Sequence, residues 1–104
     1  MTEEMESILC ELISAAGAAR SSYIGAIQAA KTGQGDPAAL MAEGDKYFEQ
    51  AHDFHHDLLT KEGEGESQPV TLFAVHVEDQ MMCAETLRIL AQEFIDLYQS
   101  RDKK

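Results

Sequence analysis

The chain has 104 residues, 44% of them hydrophobic, which suffices for one packed domain and is too short for two ordinary ones. Eight Lys and Arg stand against 19 Asp and Glu, a formal net charge of -11; this excludes nucleic acid as a partner and disfavours anionic membrane surfaces, because both require a basic face. No apolar run approaches the ~18 residues of a membrane span and the N-terminal residues are acidic where a secretion signal is basic, so a cytoplasmic domain is expected.

The first run, about residues 3–32, places Met5, Ile8, Leu9, Leu12, Ala16, Ala19, Tyr23, Ile27 and Ala30 at spacings of one, three and four, one face of an α-helix. Gly17 and Gly25 interrupt it, each weakening the helix by roughly 1 kcal/mol relative to Ala, and close approach of another backbone is the expected compensation. Thr32-Gly33-Gln34-Gly35 ends the run. Asp36, a good N-cap, and Pro37, well suited to the first helical position, restart it.

The second run, about residues 37–62, carries Leu40, Met41, Gly44, Tyr47, Phe48, Ala51, Phe54, Leu58 and Leu59 with the same period. It also holds His52, His55 and His56 within one turn, a spacing compatible with zinc or copper. No Cys or HExxH pattern supports such a site, and Asp53 and Asp57 interleave as on a solvated face. A place for one or two of these imidazoles near His76 across the bundle is the better expectation. Lys61 to Pro69 then forms an acidic connection without an apolar residue, where the glutamates would repel a phosphate.

The third run, about residues 71–100, has two seams. One reads Phe73, His76, Gln80, Cys83, Leu87, Leu90, Phe94 and Leu97; the other reads Leu72, Val75, Asp79, Met82, Thr86, Ile89 and Glu93. The prediction is that one packs on the first two helices and the other on a second subunit, since surplus apolar surface rimmed by charge marks an interaction site. Cys10 and Cys83, far apart at apolar positions, are expected to be small buried hydrophobes in a reducing compartment. The predicted fold is all-α, an antiparallel up-down-up three-helix bundle forming a single domain over residues 1–104.

Both seams of the third run are broken at one level. His76 and Gln80 interrupt the first and Asp79 the second, with His76 and Asp79 three residues apart on adjacent faces of one turn. Buried there, an imidazole and a carboxylate each need a hydrogen bond, a partner or a cation. If the second seam faces a symmetry axis, every subunit brings Asp79 to the same point. Such carboxylates require protonation or a bound cation, and oxygen ligands alone favour a hard ion such as Mg²⁺.

Several segments together resemble a known family. They are Leu12-Ile13-Ser14-Ala15-Ala16-Gly17-Ala18-Ala19-Arg20-Ser21, Ala29-Ala30-Lys31-Thr32-Gly33, Ala51-His52 and Val75-His76-Val77-Glu78-Asp79-Gln80-Met81-Met82. In that order and at those separations they resemble the IIA component of the lactose/cellobiose (N,N′-diacetylchitobiose) class of the bacterial sugar phosphotransferase system. The similarity runs from about residue 4 to residue 98. The resemblance implies a homotrimer in which His76 accepts a phosphoryl group from the phosphocarrier protein HPr and passes it to the IIB component, with Asp79 holding one metal ion, Mg²⁺, on the threefold axis.

Two residues depart from the family stretch H-x-Q-D-H-[LM]-M: Glu78 stands for its Gln and Gln80 for its second His. His55 replaces the Gln of the family's AHxxQ segment, offering an imidazole nearby. Gln80, Glu78, His52 and His55 are therefore the candidate supporting residues around His76. The same departures favour the alternative reading, a non-catalytic trimeric interaction or regulatory module of the same fold.

Overall fold

The computed structural model describes residues 2–66 and 69–102. They form three helices, α1 (Glu3–Thr32), α2 (Pro37–Gly63) and α3 (Leu72–Asp102), with no strand among the described residues. The predicted limits agree to within about two residues because side chains at the ends define them. Thr2 Oγ1 accepts the Met5 N–H at 3.1 Å, Asp36 Oδ1 the Ala39 N–H at 3.1 Å and Thr71 Oγ1 the Ala74 N–H at 3.1 Å. Glu3, Glu4 and Glu6 crowd the first turn of α1 and Lys31 its last, each complementing the helix dipole. Gly33, at φ 76°, closes α1 in the left-handed conformation and donates its N–H to Ala29 at 2.9 Å.

The helices run up, down and up in a rod of 56 × 21 × 17 Å. Lys61 near the end of α2 pairs with Glu4 at the start of α1 at 2.8 Å, whereas Arg101 at the end of α3 reaches the Lys31 carbonyl at the end of α1. α1 is the central element. It supplies eleven buried residues, against three from α2 and five from α3, and α2 and α3 touch each other far less than either touches α1. Much of this core is alanine, so the helix backbones lie close. Its lower half gathers Met5, Leu9, Leu12, Ala51, Val77 and Met81; its upper half gathers Ala19, Tyr23, Ala26, Met41, Ala91 and Ile95. Phe48 packs against both.

Three expectations change. The backbone crowding predicted at Gly17 and Gly25 is at Gly44: a Cβ there would come within 2.5 Å of Tyr23 Cε1, while Gly17 has nothing within 4 Å and Gly25 meets only the Leu40 side chain at 3.7 Å. The α3 stripe that packs on the bundle is a third one, Val77, Met81, Ala84, Ala91 and Ile95. Both predicted seams are largely uncovered: Leu97 is 63% and Ile89 59% exposed, and only Leu87 packs appreciably on the core. The reason is the alanine core. Close helix packing selects Ala84 and Ala91, whereas a spacing argument follows the bulkiest residues. Finally, Cys10 and Cys83 are exposed rather than buried, since neither lies on a core-facing stripe.

Candidate functional site

The first turns of α3 carry alternate anchors and polar groups. Val77 and Met81 are buried between the other helices, which fixes the rotation of this part of α3. Around these anchors the backbone presents His76, just before Val77, and Asp79, between the two, on the exposed surface, with Glu78 and Gln80 half-buried on either side of Asp79. Leu72, Phe73, Val75 and Met82, all exposed apolar residues, surround the same region.

Each of the two half-buried side chains has a partner on a different helix. Glu78 Oε2 lies 2.7 Å from His55 Nε2 of α2, whose ring is 13% exposed. Gln80 Oε1 accepts a hydrogen bond from Arg20 Nη1 of α1 at 2.9 Å. The polar turn is thus bracketed by a cation-capable group from either side. Beneath it, Glu78 and Asp79 help to line a cavity of about 320 Å³ with Met5, Leu9, Leu58 and Ala74.

The three histidines of α2 part company. His55 turns to Glu78, next but one to His76; His56 is exposed; His52 is exposed beside Asp45, Phe48 and Arg88 further along the rod. Among the described residues, no three His, Cys, Asp or Glu side chains form a group that could hold a metal ion. Asp79 therefore offers one exposed carboxylate per chain. A cation there needs ligands from further copies.

Sequence spacing did not single out Arg20. Its signal was available: Arg20 is the lone basic residue in the first 30, with no carboxylate three or four positions away to pair with on its own helix. Nor did spacing find the Tyr23–Asp45–Arg88 cluster at mid-rod. Tyr23 donates its hydroxyl to Asp45 Oδ1 at 2.7 Å, Arg88 Nε donates to the same oxygen at 3.0 Å, and the guanidinium lies 5.4 Å above the Phe48 ring. Burial first, then the hydrogen bond and charge of Asp45, push the Tyr23 hydroxyl above its ordinary value; the bond to Asp45 pushes Arg88 up in turn.

The sequence model of the family described as "PTS system, Lactose/Cellobiose specific IIA subunit" matches residues 7–99. The chain is 37% identical over 100 residues to the lichenan-specific phosphotransferase enzyme IIA component of Bacillus subtilis (strain 168), covering 95% of this chain and 91% of that protein. It is 35% identical over 98 residues to the oligo-beta-mannoside-specific EIIA component of the same organism, covering 93% and 89%. The crystal structure of the cellobiose-specific enzyme IIA from Bacillus anthracis superposes with a TM-score of 0.94 at 34% identity, over 100% of this chain and 96% of that one. No helix of the described residues is long and apolar enough to cross a membrane.

Proposed function

The chain belongs to the lactose/cellobiose-specific IIA family of the phosphotransferase system, and on that footing we propose that it carries phosphoryl groups on His76, from HPr to a IIB component, during uptake of a β-linked oligosaccharide. The observation that carries this reading is the presentation of His76: an exposed imidazole on a turn held rigid by Val77 and Met81 and ringed by exposed apolar side chains. Another protein can reach that ring, and the apolar rim excludes water from the junction.

The neutral imidazole of His76 is the nucleophile. A ring nitrogen of His76 attacks the phosphorus in line, a new N–P bond forms, and the N–P bond to the donor imidazole breaks with its electron pair left on that nitrogen. The proton on the other nitrogen of His76 is lost to solvent while the donor ring takes one up. Passage to the next acceptor reverses the roles. Such transfer asks little covalent work of the protein beyond positioning and charge stabilisation. His55 answers the charge of Glu78, which would otherwise oppose a group gaining roughly 1.5 to 2 negative charges.

Assembly as a homotrimer is part of the same reading. Val75, Met82 and Ile89 form an exposed apolar stripe on which Asp79 also lies, and two further copies would cover it. The donor set fits a hard divalent cation: one exposed carboxylate from each copy, all oxygen, with no imidazole or thiolate among them. Asp79 would hold Mg²⁺ there, and the ion would supply the positive charge that lets three carboxylates approach.

The test is incubation of the chain with the phosphoenolpyruvate-driven donor proteins. One alkali-stable, acid-labile phosphate per chain, absent from His76→Ala, is expected. A parent chain that takes no phosphate would leave the non-catalytic module as the reading.

A further inference from the structure

Gln80 occupies the position one helical turn beyond His76, where their Cβ atoms lie about 5–6 Å apart on a shared face. A carboxamide has one accepting end and one donating end, whereas a guanidinium has donors and no acceptor. The bond from Arg20 Nη1 therefore fixes which end of Gln80 is engaged: Oε1 faces α1, and the NH₂ group is left for the surroundings of His76. Arg20 spends no charge in doing so. Its partner is a neutral amide rather than a carboxylate, so the guanidinium charge remains to act on an arriving anion.

We infer that Arg20 is a positioning residue for the phosphoryl group: it holds the Gln80 amide with its N–H donors toward the phosphoryl oxygens on His76 and adds a fixed positive charge behind them. The inference rests on the carrier reading and deepens it. In this chain a neutral amide stands where a second imidazole would stand in the family motif, and an amide free to rotate would as readily turn its oxygen, a repelling group, toward the phosphoryl dianion. Arg20 removes that choice. A carboxamide has no titratable group, so the hydrogen bonds Gln80 donates do not vary with pH near neutrality, unlike those of an imidazole.

The experiment uses the full chain and phosphoramidate, a small phosphoryl donor for histidine that needs no protein docking surface. Phosphate incorporated at His76, its rate of loss, and the side-chain ¹⁵N–¹H signals of Gln80 are followed in the parent, Arg20→Gln, Arg20→Lys and Gln80→Leu. Loss of one charge-assisted hydrogen bond predicts on the order of tenfold slower uptake or faster loss in Arg20→Gln and in Gln80→Leu. Arg20→Lys should recover part of it, and Arg20→Gln should cost less in the Gln80→Leu background than in the parent, because only the charge, and no longer the hold on the amide, is then lost. The parent Gln80 NH₂ signals should move on phosphorylation, and move less in Arg20→Gln. Helical circular dichroism equal to the parent's would show that the variants fold. Parent-like kinetics in Arg20→Gln, or Gln80 signals that ignore phosphorylation, would overturn the role of Arg20 and leave the carrier reading intact. A parent chain that takes no phosphate on His76 from either donor would overturn both.

Discussion

His55 of α2 and Glu78 of α3 meet at 2.7 Å, although 23 residues separate them in the chain. Both positions depart from the family pattern, and here the two departures answer each other. An imidazole faces a carboxylate where two amides would stand. The pair spends one charge beside the candidate phosphorylation site on an internal partner.

His55→Leu should therefore slow phosphate uptake on His76 severalfold, and adding Glu78→Gln should recover most of it. The carboxylate is 44% exposed, so the pair is worth less than about 1 kcal/mol to stability, and urea unfolding should barely change. A rate loss that tracks an equal loss of stability, or no recovery in the double variant, would sink this account.

Tyr23 gives the fold a pH dependence of predictable sign. Its hydroxyl is held above the ordinary value of 10.0 by burial and by Asp45, so the unfolded chain gives up this proton first. The stabilisation is complete below pH about 10 and is lost as the pH rises beyond it. Tyr23→Phe should lower stability at neutral pH by about 1 kcal/mol through the lost hydrogen bond and should flatten the alkaline decline. Urea midpoints measured from pH 7 upward, relative to the parent, decide the matter.

Gly44 and Gly17 are both helical glycines with opposite expectations. A Cβ at Gly44 would sit 2.5 Å from the wholly buried Tyr23 ring, so Gly44→Ala should cost about 1–3 kcal/mol despite Ala's better helix propensity. At Gly17 the space is open within 4 Å, and Gly17→Ala should stabilise by about 0.5–1 kcal/mol. Chemical denaturation of the two variants should move in opposite directions.

The exposed stripe of α3 predicts the behaviour of the assembly. Sedimentation equilibrium should give three times the chain mass for the parent and the chain mass for Ile89→Glu, which puts a carboxylate at a side chain now 59% exposed and apolar. Elemental analysis should detect a divalent ion in the parent and none in Asp79→Leu, which should still sediment as a trimer. A parent that sediments as a monomer, or a trimer with no bound metal, would count against the axial site.

The amino-acid sequence by itself determined the three helices and their ends, because Thr2, Asp36, Pro37 and Gly33 act on backbone within a few residues of themselves. It also carried the family motif around His76, since neighbours on one helix are set by spacing alone. Tertiary structure decided what lies between helices. α3 has apolar residues on several faces, and only packing against the alanines of α1 chose Val77, Met81, Ala84, Ala91 and Ile95 as its inner stripe, leaving the bulkier seams and Cys83 outside. The same choice of rotation brought Glu78 to His55 and Gln80 to Arg20. Those pairs join residues 23 and 60 positions apart, a relationship that no local spacing contains.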